Sequence, residues 1–206
     1  MLVYTNFMSH DFGPITRHQE RILKASIAIL TREGSRALTM KRVAEELGLT
    51  EAAIYRHFPC KKALLAALYA FVKAGLLARI APVIASETSP KKRIRALLSA
   101  TLRYLFENKG VTIVLLAEAI YQHDEEINCA MRDLFTGYTA LAETLIQAGV
   151  LGGFFDPGVD PRLAATALAG LVQASITRQL LTGEPVDPER HAAALADIIL
   201  SGISKR

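Results

Sequence analysis

Helix caps and helix breakers recur along this chain at helical intervals, and they limit its fold more than any other feature. Thr16 precedes a run to Glu33 in which Ile22, Leu23, Ile27 and Leu30 share one face, and Gly34 follows. Thr39 can cap the short stretch MKRVAEEL, which Gly48 closes; Thr50 can cap EAAIYRHF, which Pro59 ends. Cys60 opens a fourth helix that fades near Pro82, and Ser89-Pro90 opens a fifth that runs to Asn108. A sixth covers about 111–122 and a seventh about 125–148, stopping at Gly149 before the glycine-rich loop GVLGGFFDPGVD. Asp160-Pro161 and Asp187-Pro188 repeat the cap-plus-proline signal and open two last helices that end near Gly183 and Gly202. No alternating strand pattern interrupts this series. An all-α fold of nine helices is expected, and a composition with 51% apolar residues, few aromatics and no Trp agrees with it.

The second and third helices are separated by a tight turn containing Gly48 and Leu49, the pattern of a helix-turn-helix. Charge points the same way. Residues 1–65 hold ten Lys/Arg against six Asp/Glu, while the rest of the chain balances at fourteen of each, so the whole excess of +4 lies in the first third. A polyanionic partner would be met there.

A helix that only filled a core would not place Tyr55, Arg56, His57, Lys61 and Lys62 so close together. Ile54 and Phe58, four apart, can hold the third helix against Val43, Ala44 and Leu47. Thr50, Glu51, Ala52, Ala53, Tyr55, Arg56 and His57 are left to face outward or sideways. Arg56 can pair with guanine O6 and N7, and Ala52 or Ala53 can touch a thymine methyl. Tyr55, His57, Lys61, Lys62 and Thr39 suit phosphate contacts, the two lysines beside the amide groups that start a helix. Double-stranded DNA is the expected partner.

The last two helices, containing RLAATALAGLVQASITRQLL and HAAALADIILSGI, are apolar nearly all round. Such helices are buried on all sides, and at the end of a chain this size a second subunit supplies the extra burial. Ala165, Leu168, Ala169, Val172, Ala174, Ser175, Leu195, Ile198 and Ile199 are the expected homodimer contacts.

The segment LTMKRVAEELGLTEAAIYRHFPCKKALLAAL (38–68) resembles the DNA-binding domain of the TetR family of bacterial transcriptional regulators. The Ile-Tyr-Arg-His-Phe-Pro-x-Lys core carries most of that likeness. Cys60 departs from it, standing where the family usually has Ser; a thiol there caps the fourth helix more weakly. The resemblance implies an arm over residues 1–15, a DNA-binding domain over 16–62 and an effector-binding and dimerisation domain over 63–206. It further implies a homodimeric repressor on a palindromic operator, released by a small, largely hydrophobic effector. Tyr104, Glu118, Tyr121, Gln122, Tyr138, Gln173 and Arg178 are the candidate polar liners of the effector pocket. EAAIYRHFP and ENKGVTIVLLAEAIYQHDEEINCAMRDLF also resemble a nucleoid-occlusion branch of the family, whose members act through a cell-division protein.

Other classes have little support. No Gly-x-Ser-x-Gly, Walker, dinucleotide or His-Glu-x-x-His pattern occurs, so no enzyme activity and no cofactor are expected. Cys60 and Cys129 match neither a disulfide framework nor zinc spacing. YQHDEEINCA gathers potential metal ligands at poor spacing, and its acidic run suits the first turn of a helix instead, so no metal is expected. No uncharged apolar stretch of membrane-spanning length and no signal-peptide pattern is present, so the expectation is a cytoplasmic protein without a membrane partner.

Overall fold

The computed structural model describes residues 15–122 and 124–204, with Gln122 by its backbone alone. All but one residue of the expected 1–15 arm therefore lies outside the described residues. Nine α-helices occur among those described: α1 (Arg17–Glu33), α2 (Met40–Leu47), α3 (Glu51–Tyr55), α4 (Lys61–Ser86), α5 (Pro90–Glu107), α6 (Val111–Gln122), α7 (Glu125–Leu151), α8 (Pro161–Thr182) and α9 (Pro188–Ile203). A 3₁₀ turn, Ser35–Ala37, joins α1 to α2.

The caps lie where local chemistry demands them. Thr16 and Gln19 form a reciprocal capping box at α1, and Thr39 and Thr50 accept from the third amides of α2 and α3. Asp160 and Asp187 each accept two amides ahead of a proline at the first helical position. Cys60 accepts from the Ala63 amide at 3.5 Å, the long contact expected of sulfur.

The helices segregate into two compact units. One comprises the described residues up to Ala74 together with those of Val114–Leu134. Its core includes Ile22, Leu23, Ile29, Leu30, Leu38, Val43, Ile54, Leu64, Leu65 and Leu68, all at 1% exposure or less. Tyr69 is buried among them and donates its hydroxyl to the Leu115 carbonyl at 2.6 Å; burial pushes that hydroxyl's pKa up. The other unit comprises Gly75–Ile113 and the described residues from Phe135. There α9 lies chiefly along α5, and α8 touches both. Arg95 pairs with Asp197, and Arg103 and Ser99 both bond Glu189, so charged and polar contacts flank the apolar α5–α9 seam.

Three helix ends differ from expectation. Regular α3 stops at Tyr55, and the chain reaches Pro59 through a tightened turn in which Phe58 N–H still bonds the Ile54 carbonyl. Proline restricts the residue before it, and the last turn narrows in response. Helix α4 continues through Pro82 to Ser86 rather than fading there. Ile80 and Ile84, one turn apart and both buried, carry it past the proline. Helix α7 passes Gly149 and ends at Leu151. A Cβ at Gly149 would stand 2.2 Å from two ring atoms of the fully buried Phe155, so this glycine makes room for an aromatic ring and does not end the helix.

Candidate nucleic-acid interface

The turn between α2 and α3 is built by glycine. Gly48 is left-handed (φ 64°, ψ 32°); its N–H bonds the Glu45 carbonyl at 3.1 Å and the Leu49 N–H bonds that of Ala44 at 2.9 Å. This double closure lets Thr50 start α3 two residues later. Val43, Ala44, Ile54 and Phe58 are all buried and α2 packs on α3, so the outward face of α3 is set by its inward one.

That outward face holds the expected readers. Thr50, Glu51, Ala52, Tyr55 and Arg56 are exposed, with Ala53 and His57 half-buried beside them. Small residues at the helix start let it approach base edges closely, and the long guanidinium of Arg56 can reach past them. Thr39 is exposed at the start of α2; its oxygen accepts from the Arg42 amide at 3.0 Å, which leaves the hydroxyl proton for a phosphate.

Two further sets of basic side chains lie in the same unit. Arg42 binds Glu33 through both Nε (3.0 Å) and Nη2 (2.8 Å) and also reaches Glu46 at 2.8 Å; Arg32 bonds the same two carboxylates. Arg42 first and Arg32 second hold the Glu33 carboxyl down at about 2. These arginines brace α1 against α2 and are occupied. The second set lies on the α1–α3 side. His18 stacks on His57, ring centroids 5.8 Å apart and planes within 7°, and Arg21 joins both in lining a cleft of about 420 Å³ that Arg56 also borders. Sequence reasoning missed His18 and Arg21. The charge excess of the first third contained the signal, but one face of α1 could not be matched to α3 from spacing alone.

Lys61 and Lys62 begin α4 with acidic company. Lys61 Nζ lies 3.9 Å from a carboxylate oxygen of buried Glu118, and Lys62 Nζ lies 3.0 Å from both Asp124 and Glu126. Asp124 also caps α7, accepting the Glu126 and Ile127 amides, so the acidic run of YQHDEEINCA serves a helix start and a lysine. Among the described residues no three His, Cys, Asp or Glu come together to hold a metal.

The candidate effector residues are divided between the two units. Tyr104 and Tyr138 are buried in the second unit, Tyr104 pushed up to about 12 by burial. Burial raises Tyr138 as well, and the nearby Thr101 hydroxyl, which donates to the Leu97 carbonyl, acts to lower it. Glu118 belongs to the first unit, as does Tyr121, which is 84% exposed and lines no interior. Gln173 is half-buried. Arg178 is exposed, pairs with Glu184 and borders a cleft of about 380 Å³ between the end of α8 and the start of α9. The Gln122 side chain lies outside the described residues.

The expected dimer contacts divide by face. Ala165, Leu168, Ala169, Val172, Leu195 and Ile199 are buried within one chain, against α5 and between α8 and α9. Ser175 is half-buried and bonds His191, while Ala174 and Ile198 are exposed. On α8 the exposed stripe continues through Leu163 (68%), Ala167, Gly170, Ala174 and Leu181 (82%), and a Cβ at Gly170 would meet nothing. The all-round apolarity of α8 thus has two origins, an intramolecular face and an open one.

Helix α4 is the one described helix long and apolar enough to cross a membrane, and half of its most apolar window is buried inside the protein, as in a core helix.

Comparison with known proteins agrees with this geometry. Residues 22–68 match the bacterial regulatory proteins of the tetR family, and residues 87–203 match the tetracyclin repressor-like C-terminal domain. The chain is similar to the nucleoid occlusion factor SlmA of Idiomarina loihiensis, 34% identical over 176 residues that span 85% of this chain and 90% of that protein. Among solved structures it resembles the TetR family transcriptional regulator PfmR of Thermus thermophilus, 28% identical, with a TM-score of 0.76 over 90% of this chain and all of that one. The fatty acid degradation regulator FadR of Bacillus halodurans shares the fold at 18% identity, with a TM-score of 0.81 over 91% and 97% of the two chains. A glycine-built helix-turn-helix, an outward α3 face set by buried Ile54 and Phe58, and family matches along both parts of the chain lead to one conclusion: this is a DNA-binding transcriptional regulator of the TetR family.

Proposed function

We propose that the protein is a homodimeric repressor that binds a palindromic operator and is released by a small, largely hydrophobic effector. Residues 16–62 read DNA in this account, and residues 63–206 dimerise and take the effector inside the cytoplasm. The observation that carries the reading is the outward face of α3, where short side chains and Arg56 stand exposed over a buried Ile54. Two such helices related by a twofold axis read two half-sites in the major groove. The open α8 stripe from Leu163 to Leu181, continued by Ile198 on α9, supports the second subunit. A ligand that binds better to the form with its reading helices misplaced shifts the population off DNA. Tyr104 and Tyr138, buried in an apolar unit, are the polar groups retained for that ligand.

The test compares two substitutions on a panel of duplexes carrying single base changes. Arg56→Ala is expected to flatten the preference at its base pair by about 1–3 kcal/mol, whereas Lys62→Ala weakens every duplex about equally. Equal loss on all duplexes from both substitutions would overturn the assignment.

A second reading is favoured by the SlmA relatives, which match most of the chain at 31–34% identity in the Vibrio cholerae and Idiomarina proteins. In it the same DNA-reading surface marks many chromosomal sites, and a cell-division protein replaces the small effector. Genome-wide occupancy separates the two: the repressor reading predicts a few promoters, the second dozens of scattered sites.

A further inference from the structure

We propose that Asp124 and Glu126 are a built-in competitor for DNA, holding the Lys62 ammonium that a DNA phosphate must take. The inference rests on the reading of Lys62 as a phosphate contact. Lys62 Nζ is 3.0 Å from Asp124 Oδ2 and 3.0 Å from Glu126 Oε2, and Lys61 beside it faces buried Glu118. All of these residues belong to one compact unit. The two carboxylates raise the lysine's pKa, and Lys62 is the first cause that lowers Asp124's. Asp124 cannot easily turn away, because its other oxygen accepts the Glu126 and Ile127 amides at 3.0 and 3.3 Å and so starts α7. Glu125, between them in sequence, faces Arg132 instead.

An ammonium has three donors, and here two carboxylates take it. A phosphate arriving at Lys62 must displace them or share the site with two like charges, and either lowers affinity. The pairs are exposed, so their effect is graded and not a block.

The test uses the full chain and a fluorescein-labelled duplex of random sequence, because a phosphate contact acts on every sequence. Asp124→Asn with Glu126→Gln removes the charges, and the asparagine keeps the α7 cap. At low salt this pair of substitutions is expected to tighten binding by roughly three- to tenfold. When Lys62→Met is also present, the same pair should change affinity by less than about twofold. Glu125→Gln removes one charge without touching Lys62 and should tighten binding less than Glu126→Gln does. No tightening, or equal tightening with and without Lys62→Met, overturns the competitor, the latter because it reports only a general loss of negative charge. If Lys62→Met costs no affinity even after both acids are removed, the phosphate reading of Lys62 fails instead.

Discussion

Arg56 projects from the end of a helix of only five residues, while two other arginines of the same unit, Arg32 and Arg42, are taken up by Glu33 and Glu46. One residue type is thus held in two ways, and the carboxylate neighbours decide which: Arg32 and Arg42 are paired, while Arg56 is exposed. The bracing pair has a pH signature. Glu33 is held at about 2 against its ordinary 4.5, so its contribution to stability is present above pH 4.5 and is lost as the pH falls toward 2. Glu33→Gln is expected to lower the melting temperature at pH 7, and the gap to the unaltered protein should narrow steadily below about pH 4.5. A gap that stays constant down to pH 3 would show that the ion pairs contribute nothing to the folded state.

Between elements, packing decides what local signals leave open. The caps at Thr16, Thr39, Thr50, Asp160 and Asp187 and the left-handed Gly48 were legible because each is satisfied by groups within a few residues. Pro82 and Gly149 misled because their partners are tertiary: buried Ile84 one half-turn beyond the proline, and the Phe155 ring against the glycine. The outward exposure of Thr50, Glu51, Ala52, Tyr55 and Arg56 was legible because Ile54 and Phe58 fix the inward side of the same short segment. The Lys62–Asp124 pair was not, since 62 residues separate the partners, and neither was the burial of Tyr138 on α7 against the exposure of Tyr121 at the end of α6. Gly149→Ala is expected to destabilise the protein by about 1–3 kcal/mol in denaturant titrations, because the buried ring has no solvent-side escape. Phe155→Leu in the same chain should recover part of that loss. A neutral Gly149→Ala would mean that the helix end, and not the ring, is what the glycine serves.

For the whole molecule, a palindromic operator needs two reading helices, and so two chains. Leu163, Ala167, Gly170, Ala174 and Leu181 expose an apolar stripe that one chain leaves uncovered, with Ile198 exposed on α9. Ile198→Asp places a charge on that surface without disturbing buried Leu195 or Ile199. Light scattering at micromolar concentration should give a dimer mass for the unaltered chain and a monomer mass for the variant, with DNA affinity falling in parallel. A monomer mass for the unaltered chain would remove the twofold axis from the account. The most direct measurement of its central claim is selection of bound DNA from a random pool, followed by affinity for the selected duplex. The predicted result is a palindrome with half-site centres one helical turn or a multiple apart, bound at least about a thousandfold more tightly than random duplex at moderate salt. Equal affinity for the best selected duplex and a random one would contradict it.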